Sequence, residues 1–316
     1  MYIPSSWLVL LAALGSAGEV AAAVNTPPGY PKIRLPYGFA RTLFFDDFSD
    51  TWGGYLPSPE KWTVDVGTSY PGGHENWGTG EVQAYTRDRS NIRVTERQTL
   101  QITPIRVAHG AWTSARIETT PNWDFGCSPG RRLRIEARIR LGNDPVSKQL
   151  GIWPAFWALG SAYRGNYWNW PDIGEIDILE SVNGESKVRR VAHCGAEPGG
   201  ACNEPSGLAN IADFVPRGAW HTFAWEVDRR FARPGWGRES MSWYVDGDRR
   251  WSLSEADVNN STAWRALVEN RKMILLNVAV GGSLPDVVAG VKTPTEQTLG
   301  GPGASMEIDY VGAWEG

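Results

Sequence analysis

Three carboxylates stand within one heptapeptide, Gly174-Glu175-Ile176-Asp177-Ile178-Leu179-Glu180. On an extended strand Glu175 and Asp177 leave the same face, while Ile176 and Ile178 point the other way. The odd spacing from Glu175 to Glu180 would carry the last acid to the apolar face unless a β-bulge shifts the phase. A carboxylate buried without a partner is costly, and bulges are over-represented beside active sites, so a bulged strand with all three acids on one side is expected. Two carboxyls on one face, about 5 to 5.5 Å apart, suit cleavage of a glycosidic bond with retention of configuration. One attacks the anomeric carbon; the other protonates the leaving oxygen and later activates water. Glu175 and Glu180 would take these roles, with Asp177 between them helping to keep Glu175 ionised and Glu180 protonated.

Taken alone, E-x-D-x-x-E also suits a solvated strand face or a calcium site. The setting argues against both, because apolar residues surround the acids and Trp170 stands just before them. There is no His and Cys set at zinc spacing, no glycine-rich phosphate loop running from strand to helix, and no G-x-S-x-G serine motif. A net charge of -4 without a basic run gives no sign of nucleic acid or an anionic membrane as partner. The 17 Trp in a chain with 36 Gly suit a protein that stacks flat rings on sugar faces.

The elements that must position these acids read as strands. Short β-prone runs at 43–48, 81–86, 91–95, 100–105 and 114–119 are separated by Gly, Pro, Asn and Asp. The clearest strand is 132–141, where Leu133, Ile135, Ala137, Ile139 and Leu141 alternate with charged residues. Further runs follow at 153–159, 175–180, 187–193, 220–228, 241–245, 273–280 and 306–314. Only 262–270 has a helical pattern. Such spacing predicts an all-β, single-domain antiparallel sandwich or jelly roll over 41–316, after an extended lead-in at 24–40. Polar, Gly-rich stretches at 62–80, 160–173 and 281–303 are expected as rim loops, and Trp62, Trp77, Trp168 and Trp170 give the first two a functional look.

An apolar run at 7–14 and small residues near 20–23 predict a secretory signal peptide over 1–23, hence an extracellular protein without a membrane anchor. Of three cysteines, Cys194 and Cys202 are the expected disulfide, since the Gly-rich loop between them can fold back; Cys127 is then a buried thiol. Asn259-Asn260-Ser261-Thr262 offers two overlapping glycosylation acceptors in a surface loop.

The strings G-I-W-P-A-F-W-A-L-G (151–160), W-P-D-I-G-E-I-D-I-L-E (170–180) and H-C-G (193–195) resemble glycoside hydrolase family 16, on its laminarinase-like side. G-T-G-E-V-Q-A-Y-T (78–86), W-Y-V-D-G (243–247), L-L-N-V-A-V-G-G (275–282) and M-E-I-D-Y-V-G-A-W (306–314) fall in that family's order, and G-G-A-C-N-E-P (199–205) is most similar to fungal members. The resemblance implies a concanavalin A-like jelly roll with a cleft across a concave sheet, and retaining hydrolysis of β-1,3- or mixed β-1,3/1,4-glucans. It matches Glu175 to the nucleophile, Asp177 to the assisting acid and Glu180 to the acid/base. Leu179 or its neighbour counts as the inserted residue that separates laminarinase-like from lichenase-like members.

The resemblance also implies that Trp170 lines a subsite beside the cleaved bond and that His193 stands near the acid/base. Trp168, Trp153, Asn76, Glu81, Gln83 and Arg116 are further candidates for substrate contact. Trp153 and Trp157, on one strand face, equally suit packing beneath the cleft, and Arg116 equally suits pairing with a carboxylate. No cofactor is required, but a structural calcium near Asp46, Asp47 and Asp309 is implied. The partner is a β-glucan, and the protein is expected to act as a monomer. Transglycosylation on the same nucleophile, or glucan binding without catalysis on the same fold, are the alternatives; glucan-binding members typically lose a catalytic glutamate, and both are present here.

Overall fold

A computed structural model describes residues 35–230 and 239–316. The expected signal peptide at 1–23 and most of the lead-in lie outside the described residues. The strand with the strictest alternation, Arg132–Leu141, buries Leu133, Ile135, Ala137, Ile139 and Leu141. Its arginines emerge on the other face and pair with acids: Arg132 with Glu226, Arg138 with Asp309 at 2.9 Å and Arg140 with Glu307 on neighbouring strands, and Arg134 with Glu136 on its own strand at 2.6 Å.

This strand lies inside a mostly antiparallel sheet ordered Asp248–Ser254, Ser240–Val245, Trp220–Asp228, Arg132–Leu141, Met306–Glu315, Leu100–Ile102, Ile92–Val94, with Arg41–Asp46 also paired to Met306–Glu315. A second, seven-stranded sheet runs Leu208–Phe214, Lys187–His193, Glu175–Glu180, Ile152–Gly160, Lys272–Val280, Arg116–Thr119, Trp62–Asp65. One face of each sheet contributes to a shared apolar core, which includes Ile135, Phe223, Trp225 and Trp243 from the first and Ile176, Phe156, Leu276 and Ile117 from the second. The all-β jelly-roll sandwich expected from the sequence is the architecture observed. A small sheet of Gln83–Tyr85, Trp112–Ser114 and Ile105–Arg106 completes it, with one parallel pairing.

The bulge is present in the strand that needed one. Trp157 faces Asp177 and Phe156 faces Leu179, so Ile178 has no partner on one side. On the other side Asp177 faces Val191 and Glu180 faces Arg189, again with a register shift between them. The inserted residue is therefore Ile178, the neighbour of Leu179. Ile178 and Leu179 both turn into the core, and the acid face resumes at Glu180. Taking a residue out of the ladder disturbs the local hydrogen bonding, and the buried indole of Trp243, reaching across from the opposite sheet, donates to the Asp177 carbonyl at 2.9 Å.

Several boundaries differ from expectation. Trp62 is no rim aromatic: it opens a strand, is buried, and donates its indole N–H to Asp46 at 2.7 Å. Leu208–Phe214 and Asp248–Ser254 are strands that the alternation did not reveal. Ser283–Ala289 is a short helix inside the expected 281–303 loop, and Glu255–Val258 is a further one. The expected helix at 262–270 is observed as Ser261–Val268. Asn259 and Asn260 lie exposed between Glu255–Val258 and Ser261–Val268, with Asn260 capping the latter through its side-chain oxygen. Among the described residues no helix is long and apolar enough to cross a membrane.

Candidate active site

The seven-stranded sheet turns its second face away from the core, and the acids stand on it. Gly174 enters the strand at φ +78°, and a Cβ there would meet the Ala266 carbonyl oxygen at 2.5 Å, so the approach to Glu175 requires glycine. Beyond it Glu175 is half-buried, while Asp177 and Glu180 are buried. Burial, followed by the charge of Asp177, pushes Glu175 and Glu180 each up to about 8. Both acids are raised by the same causes. The expected division, with Glu175 ionised and Glu180 protonated, is not built into either residue's surroundings alone; the pair retains protons jointly.

Neighbouring strands supply the polar partners. Trp153 and Trp157 leave the same side of Ile152–Gly160 and are only partly buried. The Trp153 indole donates to Glu180 Oε1 at 2.9 Å, and that of Trp157 to Asn277 Oδ1 at 2.8 Å. His193, opposite Glu175 on the next strand, sets Nε2 3.4 Å from Asp177 Oδ2 and Nδ1 2.7 Å from Glu204 Oε2. One oxygen of Glu175, one of Asp177 and a ring nitrogen of His193 all lie within 4.8 Å of one another. Burial opposes a charged imidazole, but the adjacent carboxylates of Asp177 and Glu204 outweigh it and hold His193 well above its ordinary value. Trp170 packs on a small apolar cluster of Leu159, Ile173, Met273 and Leu275 on this outer face, with its ring 5.5 Å from that of His193.

The other candidates take different places. Trp168 is exposed on the rim, where it contacts His74 at 3.9 Å between ring centroids and donates to the Gly72 carbonyl at 3.0 Å. Asn76 is exposed in the facing loop in a left-handed turn. Glu81 and Gln83 do not present free polar groups. Gln83 is fully buried, donating to Glu81 at 2.6 Å and accepting the Val280 N–H at 2.7 Å, while Glu81 also receives Tyr85 Oη at 2.9 Å and Thr79 Oγ1 at 2.8 Å. Arg116 is buried too, paired to Asp65 at 3.2 Å and covered by the rings of Tyr70, Trp77 and Trp157. Of its two readings, the carboxylate pair is the one observed.

The implied calcium ligands do not fit a cation. Asp46 is surrounded by donors, receiving Lys61 Nζ at 3.0 Å, the Phe48 N–H at 3.0 Å and the Trp62 indole at 2.7 Å. Asp309 is held by Arg138, and Asp47 folds back on Ser49. An ammonium and a guanidinium already balance the two buried carboxylates where a calcium would have to compete.

Cys194 and Cys202 form the expected disulfide, and Cys127 is a buried free thiol whose burial pushes it up to about 12. The sequence reading gave no role to Glu204, Asn277, Trp243 or the ring cluster of Tyr70, Tyr163 and Tyr167. Glu204 had a signal, as an acid two residues after a bridged cysteine, but its partner becomes apparent only in three dimensions.

Residues 143–209 match the family described as "XgeA-like, catalytic GH16 domain". The chain is 32% identical over 252 residues to a beta-glucanase of Rhodothermus marinus, covering 72% of each. It is 27% identical over 307 residues to a glucan endo-1,3-beta-glucosidase of Cryptopygus antarcticus, covering 90% of this chain and 97% of that protein. Among solved structures, the endo-1,3-beta-glucanase from Streptomyces sioyaensis superposes with a TM-score of 0.82 at 39% identity, over 90% of this chain and 99% of that one. The laminarinase from Rhodothermus marinus superposes with a TM-score of 0.63 at 28% identity, over 86% and 96% respectively.

Proposed function

The chain is a glycoside hydrolase of family 16, and from that premise we propose that it is a retaining endo-glycosidase acting on β-1,3- or mixed β-1,3/1,4-glucans. The observation that carries this reading is the bulge at Ile178, which returns Glu180 to the face that Glu175 and Asp177 share. The substrate class is supported by the names of the relatives from Cryptopygus antarcticus and Streptomyces sioyaensis, a glucan endo-1,3-beta-glucosidase and an endo-1,3-beta-glucanase.

In the mechanism we propose, Glu175, the more open of the two acids, attacks the anomeric carbon as a carboxylate. Glu180, buried against the Trp153 indole, delivers its proton to the leaving oxygen and later takes one from water. Because the two glutamates retain protons jointly, loss of one proton from the pair creates the working state, with the remaining proton on Glu180 when sugar occupies the cleft. The charge of Asp177 keeps the leaving-group side from ionising early, and a cationic His193 beside it limits that effect. Trp170 offers a partly exposed ring beside this centre for a glucose face. The oxidised Cys194–Cys202 pair and the sequence pattern over 1–23 support secretion, where polymeric glucan is met.

Incubation with laminarin and with barley mixed-linkage glucan tests the reading. New reducing ends from the wild type, lost in Glu175→Gln, are expected. No release from either polymer, with the variant behaving identically, would overturn it.

A further inference from the structure

Two residues past the loop that the Cys194–Cys202 disulfide closes, a buried acid points at the active centre. The Glu204 side chain is fully shielded from solvent, and both of its oxygens are engaged. Oε1 receives the backbone N–H of Cys194 at 2.7 Å, and Oε2 meets His193 Nδ1 at 2.7 Å. The backbone of Glu204 is itself fixed, pairing with Gly199 across the loop. Gly207 closes against the imidazole, where a Cβ would come within 2.9 Å of Nδ1. The ring is thus bounded by Glu204 from beside the loop, Asp177 and Glu175 from the acid strand, the Trp170 ring and the backbone at Gly207. Arg189, on the same strand, pairs with Glu185 at 3.7 Å.

We propose that Glu204 is a positioning residue that holds His193 as a doubly protonated ring against Asp177, so that the charge of the catalytic carboxyls is set from beside the disulfide loop. The inference rests on the functional reading above and deepens it. Its chemistry follows from counting acceptors. A carboxylate can accept from Cys194 N–H and from Nδ1–H together, which obliges Nδ1 to carry its proton. Asp177 Oδ2 is buried without a hydrogen-bond partner 3.4 Å from Nε2, and a second proton on Nε2 would set a positive ring, an imidazolium, against it. An amide at position 204 has a single acceptor oxygen. If it keeps the Cys194 bond, its NH₂ faces Nδ1, which must become an acceptor, and the ring becomes neutral. The positive charge that lowers the proton affinity of Glu175 and Glu180 is then lost.

The test is a nitrogen-resolved NMR titration of His193 together with kcat/KM against pH on laminarin, for wild type, Glu204→Gln and Glu204→Asp. Wild-type His193 should show two protonated nitrogens at pH 7. In Glu204→Gln the ring should titrate near the ordinary value of about 6.5. The limb of the rate profile at which the nucleophile ionises should move to higher pH by half a unit or more. Glu204→Asp, which keeps two acceptors, should restore the charged ring and the wild-type profile. A neutral His193 in the wild type at pH 7 would overturn the proposal without any variant. So would an equal loss of activity at every pH in Glu204→Gln, which is the mark of a merely structural role. A wild type inert on laminarin would sink the functional reading instead, and the NMR arm would still decide the charge of His193.

Discussion

Glu175 and Glu180 retain protons because the fold removes them from water beside a third acid, and this has consequences for stability as well as rate. A carboxyl that keeps its proton in the folded state, when the unfolded chain would release it, supports the fold at low pH. That support is lost as pH rises from about 4.5, the unfolded value, through about 8. Glu175→Gln and Glu180→Gln should therefore melt higher than wild type at pH 8, by about 2 °C for each kcal/mol gained, with the difference fading at pH 4. Thermal melts at both pH values check this; variants that melt lower at pH 8 would contradict the burial argument. Each variant should also lose about 10³-fold or more in kcat. The two limbs of the kcat/KM profile belong to the coupled pair, and the optimum is expected closer to neutrality than the ordinary carboxylate value of about 4.3. A pH profile peaking at 3 to 4, or flat from 3 to 9, would refute it. At this scale the acids were legible because their spacing conflicts with strand periodicity. Glu81 and Gln83 were harder to read, because a polar residue near a cleft has no sequence mark for being consumed by internal partners, while Arg116 takes the carboxylate pairing that was one of its two readings.

The bulged strand shows what could be read at the level of elements. The need for a bulge followed from phase alone; its position at Ile178 did not, since Ile178 and Leu179 are both apolar and both enter the core. The partner that stabilises it, Trp243, lies 66 residues away on the opposite sheet, beyond the reach of any local pattern. Trp243→Phe keeps the bulk but leaves the Asp177 carbonyl without its donor, so a loss of about 1–3 kcal/mol is expected in denaturant unfolding, with kcat falling as the acids lose their setting. Unchanged stability would show that the bulge does not depend on this bond. The missed strands share a physical reason. Leu208–Phe214, Trp62–Asp65 and Asp248–Ser254 are all sheet edges, paired on one side, where alternation is not enforced. The last of these did carry a hairpin signal in Asp246-Gly247, both at positive φ.

Across the whole molecule the sandwich was legible from short, evenly spaced strands, whereas charge placement inside it was not. Lys272 is buried at the start of a core strand, donating to the Ala266 carbonyl at 2.8 Å, and burial depresses it to about 7. A lysine held below its unfolded value stabilises the fold at high pH, and that contribution is lost as pH falls from about 10.5 towards 7. Lys272→Met should gain stability relative to wild type over that interval, whatever its offset; parallel melting curves across pH 7 to 10 would refute this. The same balance of charge argues against a calcium at Asp46 and Asp309, so chelation should leave the melting temperature unchanged. All of this serves one claim, that Glu175 forms the bond to sugar and Glu180 manages the proton. Mass spectrometry of the protein after reaction with a 2-deoxy-2-fluoro β-glucosyl donor, extended by a β-1,3-linked glucose, tests it most directly. The label should be found on Glu175 in the wild type and be absent from Glu175→Gln; a label on Glu180, or turnover with inversion and no covalent adduct, would contradict the account.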